Sequence, residues 1–262
     1  MKRSFILLIT AGVFVTGCQK ADQQLSEDPV KANYLKNASL EHKPNAEITA
    51  CRIVQINYVS NGLSDALQFT YDATGDPVSI TRLNGASTGR PNFAFRYNDR
   101  NQLTDFIGPY NNGNAYAEFW HKYFYDNKGN IIQDSTYIFP NISSGSPESA
   151  YSSHLTYYIY DGMGRMVKDS TPALNTVHTY SYDGNGNKVG KSYDNNISVY
   201  RTSAVWMFLN KDYSVNNSLT TSSVSTTGLP LSYTSSDGSG FSFLYNDYTN
   251  VQFSYDCNAK KP

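Results

Sequence analysis

The sequence predicts an all-β fold: an antiparallel up-and-down β-meander of tandem hairpins, rolled or closed into a barrel-like sheet. Three observations carry this expectation. A short tyrosine-led motif recurs along the chain. The 262 residues include 22 Tyr and 13 Phe, aromatic residues that favour strands over helices. Two cysteines bracket the strand-rich region, Cys51 before its first run and Cys257 after its last.

Five segments align on a tyrosine: Phe69-Thr70-Tyr71-Asp72-Ala73-Thr74-Gly75-Asp76, Phe95-Arg96-Tyr97-Asn98-Asp99-Arg100-Asn101-Gln102, Tyr123-Phe124-Tyr125-Asp126-Asn127-Lys128-Gly129-Asn130, Tyr158-Ile159-Tyr160-Asp161-Gly162-Met163-Gly164-Arg165 and Tyr180-Ser181-Tyr182-Asp183-Gly184-Asn185-Gly186-Asn187. Degenerate copies follow at Phe243-Leu244-Tyr245-Asn246 and Phe253-Ser254-Tyr255-Asp256. Aromatic residues two apart share one face of a strand. Asp or Asn then opens a type I turn, and Gly three positions later supplies the left-handed residue. The product is a hairpin closed by a turn and a bulge. In the second copy Asn101 stands for Gly, the next residue to tolerate that conformation. A branched apolar residue then begins each return strand, at Val78, Leu103, Ile132, Val167 and Val189.

The tyrosines are unevenly spaced, so the loops at the opposite end vary in length. Asn84 to Asn92, Gly108 to Ala115 and Pro140 to Ala150 are Gly, Asn, Ser and Pro clusters and read as those loops. After Asp194 the motif fades. Alternation continues through Val205 to Phe208, Leu229 to Tyr233 and Phe241 to Tyr245, and these are read as strands. Ser218 to Thr227, which includes Leu219 and Val224, is read as a Thr-rich strand rather than a linker.

The N-terminus has a different chemistry. Lys2 and Arg3 precede an apolar run from Phe5 to Val15 that closes on Thr16-Gly17-Cys18. A charged start, a short apolar core and small residues make a secretory signal, and the run is shorter than the ~20 apolar residues that span a bilayer. With Cys18 directly after Gly17, it resembles the bacterial lipobox. That resemblance implies removal of residues 1–17 and acylation of Cys18, each buried CH₂ adding roughly 0.8 kcal/mol of membrane affinity. Residues 18–48 are polar and carry Pro29 and Pro44, so they read as a flexible tether. The β domain is expected over 49–258, with 259–262 as a tail. Gln19 after the anchor favours the outer membrane by analogy with lipoprotein sorting, the domain facing either the periplasm or the cell surface.

With Cys18 lipidated, Cys51 and Cys257 remain in an oxidising compartment. A bridge between them would contribute roughly 5 kcal/mol in the chain-entropy account and would make the first and last strands antiparallel neighbours, as in a closed sheet. Two free buried thiols are the alternative.

The tandem motif resembles the YD repeats of bacterial RHS and teneurin proteins, over roughly residues 66 to 194 and most specifically at the Tyr-Asp-x-x-Gly-Asn core. That resemblance implies long antiparallel sheets coiled into a shell. The whole layout is similar to a family of Gram-negative envelope lipoproteins assigned a porin-like fold, which implies a fold and a location but no activity. A membrane-spanning pore is not expected: a lipid anchor would be redundant, the chain lacks a terminal aromatic, and Arg96 and Lys122 interrupt any lipid-facing band.

Candidate sites were weighed against plain structural roles. Asp183-Gly184-Asn185-Gly186-Asn187 mimics half of a calcium loop, but the other copies replace Asn185 and no acidic residue closes the loop, so turn chemistry suffices. His42, His121, His154 and His178 lack metal-binding spacing and read as packed or surface residues. Glu118, Asp134 and Asp169 can pair as carboxylates only through the tertiary fold. No nucleophile motif is present, and neither metal nor cofactor is expected. Tyr71, Tyr97, Tyr125, Tyr160 and Tyr182 form a stripe that reads as core. Trp120, Phe124, Tyr157 and Ile159 point the other way. They imply either a stretch buried on both sides or an exposed aromatic platform suited to glycan stacking, with Trp120, Phe124 and Tyr157 as the ligand-binding candidates and Trp120 and Trp206 as fluorescence reporters.

A net charge of -1 without a basic stripe argues against nucleic acid. The functional expectation is a monomeric, non-enzymatic envelope lipoprotein that binds or scaffolds a glycan or envelope protein. The alternatives are a glycan-binding accessory of a polysaccharide uptake system, or a hydrolase with an unrecognised site. Carboxylates or histidines clustered in one pocket would favour the hydrolase; an exposed aromatic strip would favour the glycan binder.

Overall fold

The computed structural model describes residues 51–258, apart from 61, 111–113, 219–220, 234–243 and 245–248. The signal segment, Cys18, the tether with His42, the tail and most of the Phe241 to Tyr245 run lie outside the described residues.

Thirteen strands are found among the described residues: β1 (Arg52–Ser60), β2 (Leu63–Tyr71), β3 (Pro77–Arg82), β4 (Phe93–Tyr97), β5 (Leu103–Pro109), β6 (Ala117–Tyr125), β7 (Ile131–Ile138), β8 (Ser152–Tyr160), β9 (Met166–Thr171), β10 (Thr176–Thr179), β11 (Thr221–Val224), β12 (Pro230–Tyr233) and β13 (Thr249–Asp256). They form one sheet in the order β10-β9-β8-β7-β6-β5-β4-β3-β2-β1-β13-β12-β11, antiparallel throughout. The all-β up-and-down meander is therefore observed, and β11 lies within the predicted Thr-rich strand.

The tight turns are built by one mechanism repeated five times. The side-chain Oδ1 of Asp72, Asn98, Asp126, Asp161 and Asp183 accepts hydrogen bonds from the backbone N–H groups two and four residues on. Gly75, Asn101, Gly129, Gly164 and Gly186 take positive φ, including 55° at Asn101. The tyrosine before each turn has its own task. Tyr71, Tyr97, Tyr125 and Tyr182 donate their hydroxyls to the backbone carbonyls of Ile53, Pro77, Leu103 and Met166. Three of these carbonyls belong to the first residue of the preceding return strand, so each repeat is pinned to the one before it. Tyr160 turns instead to Tyr213, edge to face.

Cys51 and Cys257 are disulfide-bonded across 206 residues, and β1 pairs β13 beside them, Arg52 opposite Asp256. The pairing does not close the sheet as a barrel would require. β12 and β11 continue beyond β13, leaving β10 and β11 as the two edges.

Between those edges the chain crosses the inner face of the sheet, and here one expectation is corrected. Val205 to Phe208 is not a strand; it lies in a helix, α1 (Ala204–Leu209). Ala204-Val205-Trp206-Met207-Phe208-Leu209 is uninterrupted apolar sequence, in which period alone cannot separate strand from buried helix. Ser203 decides locally, its side chain capping the Val205 N–H. Trp206 meets Phe69 and Phe95 at 5.6 and 5.7 Å between ring centroids, and Phe208 meets Tyr123 and Tyr158 at 5.1 and 5.3 Å. Side chains and one short helix together thus fill the inner face.

Candidate functional site

Strands β6 to β9 present different chemistry on their two faces. On the outer face, register places Phe124, Gln133, Tyr157 and Ser170 in one row across four strands. Phe124 and Tyr157 are 46% and 41% exposed, and Leu155 and Ile159 beside them are exposed too. Trp120 lies on the same face but is buried. Its indole N–H donates to Asp105 at 2.6 Å, Arg96 lies over its ring at 4.7 Å, and Ile107, Ala117, Tyr137 and Ile142 pack around it. The loop after β7 holds this cover down, its Gly145 carbonyl accepting from Arg96. Of the three residues proposed to bind ligand, the fold thus brings Phe124 and Tyr157 together at the surface. Trp120 is withdrawn into a small outer core, because the long loop carrying Ile142 folds back over it. The stretch is thus buried on both sides at Trp120 and exposes its outer aromatic residues at Phe124 and Tyr157.

The inner face behind this row is polar. Row by row it carries His121, Thr136 and His154, then Asp134 and Thr156, then Asp169 and His178. Thr156 Oγ1 and Thr171 Oγ1 lie 2.8 Å apart. Asp134 and Asp169 are 3% and 2% exposed. Asp134 Oδ2 meets His121 Nδ1 at 2.7 Å, Thr136 Oγ1 at 3.2 Å and the Tyr158 hydroxyl at 3.3 Å. Its Oδ1 is buried with no hydrogen-bond partner among the described residues. Asp169 is fully engaged: the Tyr180 hydroxyl and His178 Nδ1 bond to it, and Lys211 Nζ lies at 3.2 Å. Burial pushes its carboxyl up, but Tyr180, His178 and Lys211 outweigh that and hold it below the usual carboxylate range. Burial pushes the His154 imidazole down, against the pull of Asp134.

His121, Asp134, Thr136, His154, Thr156, Tyr158 and Thr171 line a cavity of about 260 Å³ together with Phe106 and Tyr123 of the same sheet face, and Phe208, Leu209 and Lys211 complete it. His121 stacks between Phe106 and Tyr123 at 5.7 and 6.1 Å.

The three candidate carboxylates separate. Asp134 and Asp169 flank β8, while Glu118 serves the loops, accepting from the Tyr110 hydroxyl and the Gly89 N–H. The Asp183 Oδ1 that mimics a calcium ligand accepts from the Asn185 and Asn187 N–H groups. No cluster of three metal-ligating side chains occurs among the described residues. Sequence reasoning missed Thr136, Thr156, Tyr158, Thr171 and Lys211 as neighbours of one cavity. The available signal was the polar run Gln133-Asp134-Ser135-Thr136, since a half-buried strand should alternate polar with apolar residues and strands are depleted in Asp.

No known protein family matches the chain, and no curated protein sequence does. Among solved structures it is similar to TcdB2-TccC3 without its hypervariable C-terminal region, at 13% identity and a TM-score of 0.28 over 51% of this chain and 8% of that one. It is similar to TcdB2-TccC3-Cdc42 at 14% identity and 0.27 over 69% and 10%. The Photorhabdus luminescens Tc holotoxin pore with a mutated TccC3 gives 16% identity and 0.24 over 66% and 10%. The chain spans a tenth or less of the length of each. A superposition this loose identifies neither a family nor an activity.

Proposed function

We propose that this chain is a cell-envelope lipoprotein of YD-repeat architecture, tethered to the outer membrane through Cys18, that binds its target without transforming it. A glycan is the ligand class its outer face fits. The observation that carries this reading is the row Phe124, Gln133, Tyr157 and Ser170. Two exposed rings stand two strand spacings apart, about 10 Å, with an amide between them and a hydroxyl at the end. Aromatic faces stack on the C–H faces of sugar rings while the amide and hydroxyl bond to sugar hydroxyls. Calorimetry with soluble oligosaccharides and peptidoglycan fragments tests this. Saturable binding lost in the Phe124→Ala/Tyr157→Ala double variant is expected, and no heat across the panel would remove the glycan. The anchor has its own test: Cys18→Ser should move the protein from the membrane fraction to the soluble fraction.

The gathering of His121, His154 and Asp134 around one cavity favours a second reading, a hydrolase. Release of new reducing ends from the same glycans, abolished by His121→Phe, would put it ahead of simple binding.

A further inference from the structure

We propose that the cavity between the end of α1 and the inner face of β6–β9 is a separate binding site, for one neutral, hydroxyl-rich ring of monosaccharide size. It lies on the opposite face of the sheet from Phe124 and Tyr157, and the inference does not depend on that row.

The first argument is a count of protons. Thr136 and Tyr158 spend their hydroxyl protons on Asp134 Oδ2, and His121 Nδ1 faces the same oxygen. Thr156 and Thr171 bond to each other, so one of their two protons is spent as well. What the threonines turn toward the cavity is therefore mostly oxygen lone pairs. Behind them Asp134 Oδ1 is enclosed without a partner among the described residues. An unmatched buried acceptor costs about 1–3 kcal/mol. A complementary ligand brings donors to these oxygens and acceptors to the His154 ring and the Lys211 ammonium, and hydroxyls do both.

Donors come as ammonium groups or as hydroxyls, and charge separates the two. Lys211 lines the same cavity and is held at Asp169, so a cation would be buried against a resident ammonium. An anion would meet the Asp134 carboxylate. The lining thus carries one charge of each sign and gives neither a cation nor an anion a net advantage, and a neutral donor fits it. The rings then fix the shape. Phe208, from the helix that packs on this face, offers an apolar surface that suits the C–H face of a ring whose edge carries hydroxyls, with Phe106 and Tyr123 beside the polar groups. Size sets the limit: about 260 Å³ lies just under the ~300 Å³ at which ligand clefts begin, room for one ring.

The test is calorimetry on the full chain with glucose, galactose, mannose, rhamnose, N-acetylglucosamine and myo-inositol. Choline and inorganic phosphate serve as the charged probes. One-site binding of at least one neutral ring is expected, weakened about tenfold or more by Asp134→Asn and unchanged in the Phe124→Ala/Tyr157→Ala variant. Should Asp134→Asn fail to fold, Thr156→Val keeps the shape and removes one acceptor, with weakening again expected. Three results overturn the proposal: no neutral ring binding at millimolar concentration, choline or phosphate binding in their place, or binding that the inner variants leave intact and the outer variant abolishes. The last would assign the binding to the outer row, while the first two leave that row to its own oligosaccharide test.

Discussion

Between β1 and β6 the inner face of the sheet carries Ile56, Leu67, Phe69, Ile80, Phe93, Phe95, Phe106 and Phe119, while between β7 and β9 it carries Asp134, Thr136, Thr156, Asp169 and Thr171, and both sets are buried to the same degree. The first region behaves as a core should. Its rings stack on one another, and Trp206 closes it. Its main polar intrusion, Arg82 with Tyr58, Asp65 and Arg90 at the long-loop end, is joined by hydrogen bonds among those side chains. The second region is expensive. Replacing buried ionic groups with apolar ones of the same shape is often neutral or stabilising, so stability gives no reason to keep two carboxylates there. The cavity and a carboxylate oxygen without a partner among the described residues are what the proposal of binding rests on. On that proposal one face of one sheet serves stability at one end and recognition at the other.

Substitutions can break this comparison, the largest effect coming from the apolar region. Trp206→Ala should cost about 3–5 kcal/mol, as for other buried Trp truncations, read from the urea midpoint at constant m. A loss below 1 kcal/mol would mean that α1 is not what holds the apolar region together. Asp169→Asn should cost about 1.5–3 kcal/mol by weakening hydrogen bonds to a charged group.

Asp169→Asn should also change the acid response. Because the folded carboxyl titrates below its unfolded value of about 3.9, its contribution is present above that pH and lost as the pH falls through the folded value. The groups facing it are His178, Tyr180, Lys211 and Tyr158. Melting temperatures followed from pH 6 to pH 2 should therefore fall less steeply in the variant. Parallel curves would show that the ionised carboxylate adds nothing.

Gly108→Ala probes the apolar region by overpacking. A Cβ there would stand 2.6 Å from the Phe119 ring, and a loss of about 1–3 kcal/mol is expected. Thr156→Val should cost about 1 kcal/mol or less, one neutral hydrogen bond; a larger loss would move the polar region into the stability column. Phe124→Ala, on the outer face, should leave stability within about 0.5 kcal/mol, so any loss of glycan binding in it is a loss of contact.

The contrast between the two regions also marks how far the sequence could be read. Asn101 in place of Gly was legible because a left-handed turn residue is a local requirement, and its φ of 55° follows. The disulfide was legible from the positions of Cys51 and Cys257 at the two ends of the strand-rich region. Helix α1 was not, since six apolar residues in a row fit either element until the surroundings choose. Trp120 was misplaced as a ligand-stacking residue because its cover, Ile142 and Arg96, comes from segments far apart in the chain. The cavity was invisible for the same reason: Asp134, Thr156, Thr171, Phe208 and Lys211 meet only through register and through the crossing of the inner face.

The sequence by itself determined the repeat. The Asp and Gly of each turn act within a few residues and four of the tyrosines act on the adjoining hairpin, so five tight turns and four pinning tyrosines were written locally. The tertiary structure alone decided that the sheet stays open, that a helix fills it, and which buried polar side chains share a cavity. Those outcomes depend on packing between residues remote in sequence, where no local preference reaches.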